Sequence, residues 1–196
     1  MIAIAYNRAE FSAEFGRLLE RSKNPAGLLL IAGRELANQL RSHFRGKEAS
    51  EPNKLSPRRQ HFWLQVMRAV QSPQVQAPTS VSVSINHPAI AQKVYGGPIV
   101  AKRAGALTIP VSEKAYGRTA ATFERETGLK LFLIKKTAAG DRGVLAAKIG
   151  QQIEVEYVLR KSVNQQPDAD ALPPQSDLEK AIVARGQAVV DREGIQ

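Results

Sequence analysis

Residues 87–118, HPAIAQKVYGGPIVAKRAGALTIPVSEKAYGR, decide how this chain is read. The stretch opens with a short helical turn from His87 and reverses at Gly96-Gly97-Pro98. Glycine takes positive φ without a Cβ clash, and proline then fixes φ near −65°, so this triplet predicts a sharp corner. A basic loop follows, from which Lys102 and Arg103 project because it has little apolar material to bury. Leu107-Thr108-Ile109 has strand character, and Pro110 has no N–H to offer a ladder, which suits an edge. With Ser112 as cap, Glu113–Thr127 predicts a helix whose inner face is Tyr116, Ala120 and Phe123 and whose stop is Gly128.

Working outward, Ser80–Asn86 alternates Val81, Val83 and Ile85 with serines, the period of a half-buried antiparallel strand. Downstream, Lys130–Lys135 is short and apolar enough for a buried strand, and a turn at Ala138–Asp141 leads to a hairpin partner over Gly143–Ile149. Gln151–Lys161 alternates again, which sets Glu154 and Glu156 on one solvated face. Upstream, Met1–Tyr6 reads as a strand at an edge. Asn7 then caps a helix carrying Phe11, Phe15, Leu18 and Leu19, which ends around Ser22–Asn24. The next helix has Asn24 as cap, Pro25 in its first turn, and a stripe of Leu29, Leu36, Leu40 and Phe44. Gly33 costs that helix about 1 kcal/mol unless another segment packs closely there. Gly46 is its expected end.

Residues 47–57 read as a polar, mobile surface connection, 58–70 as a helix with Phe62, Val66 and Ala69 beside Trp63, Met67 and Val70, and 71–79 as a loop. Asn164–Gln175 is a Pro/Asp/Gln linker, and Ser176 with Glu179 forms a capping box for a last helix to about Glu193. The expected fold class is therefore α+β: a mostly antiparallel β-sheet flanked by N-terminal helices, one inserted helix and a C-terminal helix. Residues 1–163 read as one domain, and 164–196 as a Pro-rich linker and a helical arm that either packs on the parent domain or reaches a neighbouring subunit.

The 196 residues include no cysteine, which removes thiolate metal sites, disulfides and Cys nucleophiles. His43, His61 and His87 lie in three different elements without zincin spacing, and no Gly-x-Ser-x-Gly or phosphate-loop pattern occurs. Neither a catalytic residue, a metal nor a cofactor is expected. The formal charge of +10 is uneven: residues 162–196 hold 3 basic against 6 acidic side chains, and 93–161 hold 13 against 6. Such a balance suits a polyanionic neighbour or docking between copies. Arg41, Arg45, Lys47, Lys54, Arg58 and Arg59 near His61, Phe62 and Trp63 form a basic and aromatic cluster able to hold phosphates and stack a base. The plainer reading makes the aromatics helix core, with the arginines on the outer face. Lys93, Lys102 and Arg103 form a second basic cluster, whose loop members Lys102 and Arg103 are a DNA-facing candidate that contacts phosphates without reading sequence.

The order of segments resembles a family of tailed-phage virion-morphogenesis proteins, the minor tail protein Z and tail-completion types. The likeness is carried by Ile90–Gly97, Ile99–Arg103, Ala106–Val111 and Ala115–Arg118, then by Leu131–Lys135 and by Val155–Val163 with the PDADALPP that follows. It spans about residues 27–190. The resemblance implies a non-enzymatic neck protein that completes or terminates the tail and joins it to the head connector. It further implies a homo-oligomeric ring, most often a hexamer, which is assembled in the host cytoplasm and resides in the virion. Its partners would be the head connector or adaptor, the tail tube and packaged DNA, with no membrane. Gly96, Gly97, Leu107, Ile109, Pro110, Leu178 and Ile182 would then make subunit or partner contacts. The alternative is a sequence-nonspecific DNA-binding protein.

Overall fold

A computed structural model describes residues 2–6, 13–22, 24–51, 61–77, 80–102, 104–135 and 141–192. In chain order they form β1 (Ile2–Tyr6), α1 (Ala13–Arg21), α2 (Pro25–Ser50), α3 (Phe62–Arg68), β2 (Gln74–Ala77), β3 (Ser80–Ile85), α4 (Ile90–Tyr95), β4 (Gly97–Val100) and β5 (Leu107–Pro110). Then come α5 (Ala120–Thr127), β6 (Leu131–Ile134), β7 (Asp141–Ile149), β8 (Gln152–Arg160), β9 (Ser162–Gln165) and α6 (Gln175–Arg192). The class is α+β with antiparallel pairing throughout, as the sequence predicts, but the strands form three sheets rather than one. The chain divides into two compact units: Met1–Glu51, His61–Tyr95 and Pro167–Gln196 build the first, and Gly96–Gln166 lies in the second.

The first unit is built around α2. Asn24 Oδ1 accepts from Gly27 N at 2.9 Å and Pro25 occupies the first turn, so the predicted start is the observed one. Leu29, Leu36, Leu40 and Phe44 are all buried. A Cβ at Gly33 would fall 2.6 Å from both Pro73 Cβ and Val81 Cγ2, so the glycine marks a close approach between α2 and its neighbours. The helix does not stop at Gly46. It continues to Ser50, because Lys47 in the last turn is held by Glu51 at 2.7 Å and Asp168 at 3.3 Å. Residues 47–50 are thus ordered helix and not a polar connection. The predicted edge strand is β1, paired with β3, and β2 flanks β3 on the other side. The 71–79 segment is therefore partly strand, where lack of periodicity predicted a loop. β3 is the central strand, so Ser82 is buried along with Val81, Val83 and Ile85.

The C-terminal helix takes the first of its two expected placements, packed on the parent domain. Ala171 is buried and α6 packs on α1 and α2, with Leu178, Ile182 and Val190 in the same core as Phe15, Leu18 and Leu29. Residues 164–196 therefore do not form a separate linker and arm. Ser176 lies inside α6, not at its cap, and Pro174 O accepts from Asp177 N and Leu178 N instead. The predicted cap Asn7, the helix residue Phe11, the helix start at 58–60, the turn at 138–140 and Glu193 lie outside the described residues.

In the second unit β4 pairs with β9, while β5-β8-β7-β6 makes a four-stranded sheet. Gly96 and Gly97 have φ of 66° and 103°, the reversal that their sequence predicts. Pro110 sits on the edge strand β5. The inserted helix is shorter than expected. Gly117, at φ 74°, interrupts it, so residues 112–117 form turns and Thr119 becomes the cap of α5 by accepting from Thr122 N. Phe123 is buried against Tyr157 and Ala147, and Gly128 ends the helix in the left-handed region.

Candidate functional site

The register of the four-stranded sheet sorts its side chains onto two faces. Leu145 stands opposite Leu133 and Tyr157, and Gly143 opposite Leu159, so these share one face; Leu145 and Tyr157 pack there with Phe123 of α5, while Leu133 is 48% exposed. Phe132 and Ile134 of β6 pair with Ala146 and Val144, which in turn pair with Val155 and Val158 of β8. This second face is apolar and exposed on its flanking strands, where Phe132 and Ile134 are each 39% exposed, Val155 41% and Ile153 61%, whereas Val144 and Ala146 of β7 between them are buried. Residues 131–134 were expected as a buried strand. They form an edge strand, on which Leu131 packs against the core while Phe132, Leu133 and Ile134 stay in solvent.

Glu156 corrects a second expectation. It is fully buried, not on a solvated face with Glu154. The pairing slips where Leu145 and Ala146 face Tyr157 and Val155, leaving Glu156 as the extra residue of a β-bulge, so two successive side chains point inward. One carboxylate oxygen accepts from Ser112 Oγ, while Oε1 has no hydrogen-bond partner among the described residues. Ser112 Oγ also accepts from Ala115 N at 3.0 Å. The pair ties the 112–117 turns to β8, a structural task. Tyr157 OH donates toward Arg118 O at 3.2 Å and Ala115 O at 3.4 Å. Burial raises its pKa above the usual phenol value, the Glu156 charge adds to this, and Arg118 opposes it.

The two ends of the sheet differ in charge. At one end the charges are paired, Lys114 with Glu154 at 3.0 Å and Arg118 with Glu126 at 2.7 Å. At the other, Arg160 stands opposite both Leu107 and Asp141, which brings together the loop after Lys102, the end of β6 at Lys135, the start of β7 at Arg142, and Lys161. Asp141 is the one acid in these segments. A cavity of about 510 Å³ opens here, between the Ala104–Ala106 loop, Leu133 and Leu159, with Lys135 and Arg142 on its lining. Lys102 is exposed beside it, as its loop position predicts. The sequence reading missed Lys135, Arg142, Arg160 and Lys161, because only sheet register gathers residues so far apart in the chain.

The other predicted site residues fare differently. Leu107, Ile109 and Pro110 are half-buried on β5. Leu178 and Ile182 are core residues of the first unit and offer no surface to a partner in this fold. Arg103, Arg58 and Arg59 lie outside the described residues, as does Lys54. Trp63 is buried, stacks on Phe44 with centroids 5.8 Å apart, and donates from Nε1 to Glu51 at 2.7 Å. Lys47 Nζ lies 4.8 Å from its ring centroid. With the ring 3% exposed and its one donor engaged, Trp63 offers no surface on which to stack a base, and Arg41 donates to Val70 O at 3.0 Å. Burial weakens the Lys47 charge, yet the hydrogen bonds and charges of Glu51 and Asp168 outweigh it and raise its pKa. For Glu51, burial is likewise outweighed, by hydrogen bonds from Lys47 and Trp63, and its pKa falls.

The histidines act singly. His43 Nε2 bonds Asp170 O at 2.9 Å, His61 Nδ1 bonds Glu48 at 2.7 Å, and His87 Nδ1 accepts from Ala89 N at 3.3 Å. Among the described residues no group of three or more His, Asp or Glu could hold a metal ion, and no helix is long and apolar enough to cross a membrane. Comparison with family models, with curated proteins and with solved structures gives no match.

Proposed function

We propose that this chain is a structural, non-enzymatic protein of the tailed-phage neck, acting as a ring of copies that completes the tail and joins it to the head connector. Two things support the reading: the resemblance in the order of segments from Ile90 to Val163, and the exposed apolar side chains along one sheet face of the second unit. That face is the single structural observation carrying it. Phe132 and Ile134 on β6 and Ile153 and Val155 on β8 leave apolar side chains exposed on one side of a sheet, a common mark of a protein contact. A copy of the same chain in a heterologous ring would cover it on every subunit. Gly96, Gly97 and the β5 edge remain candidate contacts, whereas Leu178 and Ile182 do not.

Sedimentation and electron microscopy of the full chain, alone and with neck proteins, test this. The expected result is ring-sized particles that Ile153→Asp with Val155→Asp disperses into folded monomers. A monomer under all these conditions, absent from purified virions, would overturn the reading. A second reading, nonspecific binding of DNA, is favoured by the basic sheet end. It requires retention on duplex DNA that falls steeply with salt and is weakened by Arg160→Ala and Lys161→Ala.

A further inference from the structure

The cavity at the basic end of the sheet combines two features that a phosphate backbone does not need together. Leu133 and Leu159 stand on the same sheet face with Gly143 between them, so the strand between the two leucines lacks a side chain. Leu133 leans over that glycine, its Cδ1 3.2 Å from where a Cβ would be. This leaves an apolar depression of the size that binds small ligands and short peptide segments. At its side, the ladder slips between Asp141 and Gly143, which makes Arg142 the extra residue of a bulge. Bulges re-aim side chains, and this one lays the guanidinium along the loop, with Nη1 3.7 Å from a Cβ built on Gly105. Lys135 adds a second cation to the lining. Among the described residues neither cation has an ion-pair partner.

From this geometry we infer that the cavity binds a short acidic peptide segment of a partner protein, with an apolar side chain seated on Leu133 and Leu159 and a neighbouring carboxylate on Arg142. A guanidinium and a carboxylate match as a planar two-bond pair, and Lys135 supplies charge to a second acid. DNA satisfies the cations but leaves the leucines uncovered, and burial of apolar surface is the larger part of what such a pocket offers. The inference stands apart from the neck reading and holds for any partner that presents such a segment.

The test uses the full chain and a fluorescein-labelled peptide of alternating aspartate and leucine, followed by anisotropy. Control probes alternate aspartate with serine and lysine with leucine, and a short DNA duplex serves as competitor. The expected outcome is saturable binding of the aspartate–leucine peptide alone, weakened about tenfold or more by Arg142→Glu. Leu133→Ser should weaken it comparably, and Lys135→Glu less. Both Arg142 and Leu133 are substantially exposed, so their variants keep the fold, which circular dichroism verifies. Equal binding of the aspartate–serine peptide, full displacement by the duplex, indifference to Leu133→Ser, or no binding of the aspartate–leucine peptide would each overturn the assignment.

Discussion

At the scale of single residues, local preference and packing can pull in opposite directions, and Gly33 shows which wins. Helix propensity alone favours alanine there by about 1 kcal/mol. The 2.6 Å approach of Pro73 and Val81 reverses the sign, so Gly33→Ala should destabilise the protein by about 1–3 kcal/mol in urea unfolding. Lys47 reports the same lesson in charge. Its side chain is nearly buried while Glu51 is 43% exposed, which tempers the pair's worth, so Lys47→Met should cost about 1–3 kcal/mol. His87 gives a pH dependence. Burial lowers its pKa in the folded protein, so the unfolded chain takes up the proton first. The stability it protects is complete above the unfolded value of about 6.5 and is lost as pH falls below it. Replacement by Asn should flatten stability between pH 7.5 and 5; an unchanged slope would show that other groups set it.

At the scale of elements, periodicity located most strands and helices but failed where one residue shifts the phase. In β8 the alternation of Ile153, Val155 and Tyr157 predicts one inward set. The bulge at Glu156 breaks it, leaving Val155 exposed while Glu156 and Tyr157 are both buried. No sequence signal marks a bulge of this kind when glycine is not involved. Tyr157→Phe should cost about 1–2 kcal/mol, since it leaves the Ala115 and Arg118 carbonyls without this donor. The end of α2 was misread for a related reason: Gly46 looks like a stop, and the partners that carry the helix past it, Asp168 and Trp63, come from distant sequence. The inserted helix erred the other way, because Gly117 lies inside a span that capping rules alone extend from Ser112.

At the scale of the whole molecule, the composition of the C-terminal segment suggested an arm, and packing made it core. Ala171, Leu178, Ile182 and Val190 complete the same cluster as Phe15 and Leu29, so removing residues 175–192 should unfold the first unit, with loss of its cooperative transition in urea, and not release a dispensable tail. Proline-rich composition discourages regular structure, yet Asn164 and Gln165 pair with β4, and composition says nothing about whether intervening apolar residues find a core. By itself the sequence determined the α+β class, the start of α2, the Gly96-Gly97 reversal and the edge position of Pro110, because each rests on local sterics or on a repeat within one element. Only the tertiary structure decided that α6 is core, that Glu156 turns inward, and that Lys135, Arg142, Arg160 and Lys161 share one end of a sheet with Lys102. Those outcomes depend on which strands pair and in what register, and register is a property of contacts between segments that no single segment encodes.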